Sequence, residues 1–282
     1  MKKCCISEIC TRLFAQEDWE ELNEYSINVI KYFQFEFSKH SIRFPDAHKL
    51  IAKFEESIKQ IKAGGRSLFH LAHETHNELC VALALLENSN PSFRLLEYEP
   101  VLSGTPKSID FRALSGAYSY YVDVKTIRPK LNNKWIQYEK LTKFISKNNS
   151  LFLVREWLGG EIWHSFFSSR GKMLSYSKEL EEKVLSGNLS NGSNRIVMVF
   201  CGDDYHWHED SLEDFISFYR SGRHRKDDPF GEMEAHEVKS KKISFYRNIT
   251  NFCFLRRRQL EIATEGINWD VGSYSHAEEI NY

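Results

Sequence analysis

No stretch of this chain is apolar for long enough to cross a bilayer as a helix, which removes integral helical membrane proteins from consideration. The Met1-Lys2-Lys3-Cys4-Cys5 start also lacks the apolar run of a secretory signal, so the expected location is the cytoplasm. An excess of one charge is missing too: 38 Lys and Arg stand against 39 Asp and Glu, for a formal net charge of -1. That balance does not announce a polyanionic partner. Cysteine is sparse, with Cys4, Cys5 and Cys10 crowded near the start and Cys80, Cys201 and Cys253 scattered. Such spacing fits neither a disulfide framework nor a zinc ribbon, and reduced thiols are expected. There is no internal repeat and no low-complexity tract. With 282 residues, 41% hydrophobic and 27% charged, the chain can form one large domain or a core with appendages.

Although the net charge is small, its distribution is uneven. Residues 220–258 hold eleven Lys or Arg against five Asp or Glu, and residues 122–147 hold seven against two. Basic segments of this kind are either solvated faces or contacts for a polyanion.

Two short runs carry the clearest chemistry. Ile109, Phe111 and Ala113 alternate with Asp110 and Arg112, and Tyr120, Val122 and Val124 alternate with Tyr121, Asp123 and Lys125. Period-two alternation marks strands with one buried face, and Ser115-Gly116-Ala117 between them reads as a hairpin turn. Counting outward from Gly116-Ala117 pairs Ser115 with Tyr118 and Phe111 with Val122, and sets Asp110 opposite Asp123. Lys125, two residues beyond Asp123, shares its face, while Ile109, Phe111, Val122 and Val124 turn to the core. Directly opposed carboxylates repel, and a divalent ion is the simplest remedy. Magnesium, with manganese as a substitute, suits such hard oxygen ligands and completes its shell with water and phosphate oxygens. Lys125 could position a water and offset charge developing on a phosphate. Taken alone, the Asp-Val-Lys tripeptide also fits an ordinary ion pair on an exposed strand face.

Upstream, residues 68–86 lack Gly and Pro and read as a helix. Glu78 falls on its apolar stripe with Leu71, Ala82 and Leu85, where a carboxylate needs a partner; Glu74, one turn earlier, is the alternative acid. The order of these elements resembles the PD-(D/E)XK nuclease superfamily, the restriction-endonuclease-like fold, over about residues 71–204. Glu78 matches the family's helix acid, residues 94–100 its first strand, Asp110 its Asp, and Asp123 with Lys125 its tripeptide. Ile109 stands where the name-giving proline would be, and Asp123 where Glu is commoner. Gln137 lies on the following helix, where some members carry a glutamine, although a surface role fits it as well.

The resemblance implies an α/β (α+β) fold with a restriction-endonuclease-like core, a central mixed β-sheet flanked by helices. It implies Glu78, Asp110, Asp123 and Lys125 as candidate catalytic residues. Asp110, Asp123 and the Val124 carbonyl would bind the metal, with Glu78 completing a second metal position, and Lys125 would orient or help deprotonate the attacking water. Glu99 is either a further outer ligand or, with Glu97, the polar face of a strand. The expected activity is Mg2+-dependent hydrolysis of DNA phosphodiester bonds by an endonuclease in a restriction, mobile-element or repair setting. A homodimer and no membrane partner are expected. The alternative is a catalytically silent nuclease-like module that binds nucleic acid or protein.

Three zones are expected: a helical N-terminal appendage over residues 1–64, the nuclease-like core over 65–221, and a basic C-terminal extension over 222–282. Trp19, Leu22, Tyr25, Val29 and Phe33 recur near helical spacing in the first zone. Within the core, 135–146, 175–185 and 211–219 read as helices, 195–201 as a buried strand, and 151–167 as an inserted helix. The rival constellation is histidine. His70, His73 and His76 recur every third residue, and His206 and His208 flank Trp207, but three-residue steps drift around a helix and do not converge on one zinc ion.

Overall fold

The computed structural model describes residues 19–64, 69–103, 108–127, 151–158, 161–201, 212, 215–216, 248–257 and 264–268. Three helices open it: α1 (Trp19–Ser38), α2 (Ala47–Gly64) and α3 (Phe69–Glu87). The first two are amphipathic. Tyr25, Val29, Phe33 and Phe37 recur every fourth residue on α1, and Leu50, Ile51, Phe54, Ile58 and Ile61 form the matching stripe on α2; all are buried. Helix α3 is buried along its whole second half, from Leu79 to Leu86. It lies between α1 and α2 on one side and a sheet on the other, and all share one hydrophobic cluster. Residues 19–64 are thus packed into the same core as the hairpin.

Among the described residues the main sheet has six strands in the order β1-β2-β3-β6-β7-β8. Its members are β1 (Leu95–Tyr98), β2 (Phe111–Ser115) and β3 (Tyr118–Thr126), then β6 (Asn194–Cys201), β7 (Asn251–Arg257) and β8 (Thr264–Asn268). Strands β1, β2 and β3 are antiparallel, β3–β6 and β6–β7 are parallel, and β7–β8 is antiparallel. A parallel neighbour requires a crossover. The β3-to-β6 connection contains β4 (Leu151–Leu158), β5 (Glu161–Ser168) and α4 (Ser169–Ser186). The architecture is therefore α+β, a mixed sheet flanked by helices.

Because α4 packs across the second face, the sheet is covered on both sides. Val197, Val199 and Cys201 of β6 join the cluster of α1–α3, whereas Ile196, Met198 and Phe200 join a second cluster with Met173, Leu174, Leu180 and Val184 of α4. A strand buried on both faces reads as a continuous apolar run, as 196–201 does. Leu212, Phe215 and Ile216, within the expected 211–219 helix, are helical and pack into this second cluster.

Three expectations change. Residues 151–167 are not a helix: β4 and β5 pair antiparallel as a separate two-stranded sheet. The aromatic and β-branched content of 151–168 favours strands, and Gly159-Gly160 interrupts any helix. The helix expected at 175–185 begins earlier, at Ser169. The segment expected as a basic C-terminal extension also contributes β7 and β8 to the main sheet. The 135–146 helix, Gln137, Cys4, Cys5, Cys10 and most of the two basic segments lie outside the described residues. Cys80, Cys201 and Cys253 are buried thiols. Among the described residues no helix is long and apolar enough to cross a membrane.

Candidate functional site

The hairpin register is the one counted from the sequence. Ser115 pairs with Tyr118 and Phe111 with Val122 across the Gly116-Ala117 turn. Gly116 sits at φ +57, the left-handed region where a side chain is strained, so glycine is required by conformation; an added Cβ would meet nothing within 4 Å. Asp110 lies one residue past the last ladder pair, in a bend rather than in β2.

That bend changes the expected faces. Phe111, Val122 and Val124 point into the α1–α3 cluster, but Ile109 belongs to the α4-side cluster with Ile127, so the alternation breaks at Asp110. Its carboxylate instead reaches the neighbouring backbone: the Val124 N–H donates to Asp110 Oδ2 at 2.6 Å, and the Glu99 N–H donates to the Asp110 carbonyl at 2.8 Å. A ladder residue presents its N–H and C=O on the same edge, so the Val124 carbonyl also faces the Asp110 side.

Asp123 lies on the α4 side of β3 and is fully buried. Two ammonium groups neutralise it. Lys125 Nζ is 2.9 Å from Oδ2, and Lys183 Nζ, from the last turn of α4, donates to Oδ1 at 2.7 Å. Burial would by itself lower the pKa of Lys125, but the charges of Asp123 and Asp110 outweigh it and hold that pKa above the usual lysine range. Asp110 moves the other way. Burial, the charge of Asp123 and the charge of Glu78 push its carboxyl up to about 7, against the opposing effects of Lys125 and the Val124 N–H.

Glu78 forms a second cluster, on the α3 side. The Tyr98 hydroxyl donates to its Oε2 at 2.7 Å, and Lys53 Nζ from α2 lies 3.2 and 3.0 Å from its two oxygens. The same ammonium donates to the Tyr98 hydroxyl at 2.6 Å and to Glu99 Oε1 at 3.1 Å. Burial, followed by the Glu78 charge, raises the Tyr98 pKa and keeps the phenol protonated. For Lys53, burial works downward, but Glu78 and Glu99 prevail and raise the pKa. Glu99 adopts φ 47, a left-handed conformation that costs a non-glycine residue roughly 1 kcal/mol or more. Beside Glu78, the Asn77 side-chain amide donates to Thr126 Oγ1 at 2.7 Å and fixes α3 against the end of β3.

The structure therefore brings Asp110, Asp123 and Lys125 together, with Val124 between the last two and Glu78 within Coulombic reach of Asp110. It does not gather Glu78 and the two aspartates into one ligand set. Among the described residues no group of three or more His, Cys, Asp or Glu side chains forms a metal-binding arrangement. Glu74 is half-buried one turn earlier, whereas the Lys53–Tyr98 network converges on Glu78. His76 is packed between Phe33 and Phe54, with ring centroids 6.0 and 6.2 Å away, and its ring lies about 4 Å from the Cys80 sulfur. His206 and His208 lie outside the described residues.

Asp110 and Asp123 fit a magnesium-type ion by donor chemistry. Both are hard oxygen donors, their mutual repulsion already shows in the raised Asp110 pKa, and a carboxylate has about four lone-pair sites, enough for an ammonium and a metal together. Sequence reasoning missed Lys53 and Lys183. Each sits on a helix among other lysines and glutamates, and nothing local distinguishes it. No family model, curated protein or solved structure matches the chain.

Proposed function

We propose that this chain is a Mg2+-dependent phosphodiester hydrolase acting on DNA, an endonuclease of the restriction-endonuclease-like type. The observation that carries the reading is the meeting of Asp110 and Asp123 on adjoining chain segments, with Lys125 ion-paired at 2.9 Å and the Asp110 carboxyl pushed up to about 7. The element order α3-β1-β2-β3-α4-β6, interrupted only by the separate β4–β5 hairpin after β3, supports it, because apart from that insertion it is the order that the resemblance implies.

Asp110, Asp123 and the Val124 carbonyl would hold the ion, Mg2+ or Mn2+. When bound, such an ion polarises a phosphoryl oxygen and lowers the pKa of water. The residues supply the rest. Lys125, held charged by two aspartates, orients a water by hydrogen bonding and offsets negative charge developing on the phosphate. Lys183 pairs with Asp123 from the α4 side. Asp110 must lose its proton before it can act as a ligand.

One observation favours the second reading, a silent module that binds nucleic acid or protein. Asp123 and Glu78 already have ammonium partners without any metal. Cleavage of plasmid and linear DNA with Mg2+, Mn2+ and EDTA, run beside Asp110→Ala, separates the two. Metal-dependent cutting that Asp110→Ala abolishes supports the hydrolase; DNA retention in a shift assay with no cutting under any metal supports the module.

A further inference from the structure

Lys53 has a place in this centre that its sequence context does not suggest. Its ammonium lies within 3.2 Å of four oxygens: both of Glu78, the Tyr98 hydroxyl and Glu99 Oε1. An ammonium has three donors, so four oxygens at this range form the kind of hard, oxygen-rich shell that a cation occupies. Two of the three contributing groups are carboxylates. One of them, Glu78, acts electrostatically on Asp110. The resemblance gives Glu78 to a second divalent ion, and here an ammonium holds that carboxylate instead.

The chain delivers Lys53 there by a separate anchor. The Leu96 N–H donates to the Arg43 carbonyl at 2.7 Å, and Arg43 Nε donates to the Phe93 carbonyl at 2.8 Å, with a second contact from Nη2. These bonds tie the α1–α2 connection to β1, so that α2 carries Lys53 over Tyr98 and Glu99. Tyr98 accepts from Lys53 and donates to Glu78, which closes the ring of contacts.

We propose that Lys53 is the built-in second cation of this centre, committing half-exposed Glu99 and buried Glu78 to ion pairs with its own ammonium so that the chain binds one divalent ion, at Asp110 and Asp123. Lys53 is then a positioning residue that acts through Glu78. The inference rests on the hydrolase reading and deepens it.

Mn2+ titration of the full chain at mildly alkaline pH, followed by the electron paramagnetic resonance signal of free Mn2+, counts the bound ions directly. One ion is expected for the unaltered chain, two for Lys53→Met, in which Glu78 and Glu99 are released, and one again for Lys53→Arg. If Lys53→Met does not fold, as judged by circular dichroism, Glu78→Gln answers the same question: it should bind one ion with affinity within about twofold of the unaltered chain. Two ions in the unaltered chain, one ion in folded Lys53→Met, or a loss of about tenfold or more in affinity for Glu78→Gln would overturn the assignment of Lys53. Binding of no ion by the unaltered chain would overturn the hydrolase reading itself.

Discussion

Lys183 and Asp123 lie sixty residues apart in the chain, and the lysine donates to the aspartate at 2.7 Å beneath α4. The Asp123 side chain is 0% exposed and that of Lys183 only 17%, so the carboxylate is closed off from water and the ammonium nearly so. A buried carboxylate that keeps its charge needs such partners, and Asp123 has two.

Lys183→Ala removes one of them. The expected cost is about 3 kcal/mol, the lower end for breaking a buried pair, because Lys125 remains. Urea unfolding measures it. Adding Mg2+ should restore part of the loss in this variant by supplying the missing positive charge, and Asp123→Asn on the Lys183→Ala background should also restore part. A loss under about 0.5 kcal/mol, typical of a surface substitution, would show that the pair is energetically idle.

Lys125→Ala addresses chemistry rather than binding. Cleavage should be abolished, while Mn2+ affinity stays within about threefold, because the lysine is no ligand of the ion. A gel assay and an ion titration on the same preparation check both. Cleavage at the normal rate would remove Lys125 from the reaction.

Asp110 makes stability depend on pH with a definite sign. Its carboxyl moves from an ordinary value of 3.8 to about 7 in the folded protein. Between these values the folded chain holds a proton that the unfolded chain has lost, so stability falls as pH rises from about 4 through about 7. Asp110→Asn should abolish this decline. Urea midpoints at about pH 5 and about pH 8, compared between the two proteins, test it. Since an ion competes with that proton, Mg2+ affinity should rise as pH passes through about 7.

Gly116→Ala tests the turn that sets the register. There is room for a Cβ, so the cost is purely conformational, about 1 kcal/mol for a non-glycine residue at φ +57. Thermal unfolding should show a small drop with no change in ion stoichiometry. A loss several times larger would mean that the turn also governs packing.

What was legible in the chain is what depends on near neighbours. Alternation over residues 111–125 marked the hairpin, and the glycine marked its turn. An acid on an apolar helical stripe marked Glu78 as a residue in need of a partner, and the run 195–201 announced a strand buried on both faces. Local pattern failed where strand and helix propensities compete in a short aromatic run, at 151–167, and where single strands join a sheet late, as β7 and β8 do.

The sequence by itself determined the pairing of Phe111 with Val122 and, from it, the approach of Asp110 to Asp123, because strand period and turn length leave one register. Only the tertiary structure decided which charges meet those acids. Lys53 arrives on α2, pinned to β1 through Arg43, and Lys183 arrives on the crossover helix that a parallel β3–β6 pair requires. Both contacts join residues far apart in the chain, and helical periodicity carries no information about which lysine will end beside a given carboxylate. The same packing of α4 buried Asp123 and brought Lys183 to its second oxygen.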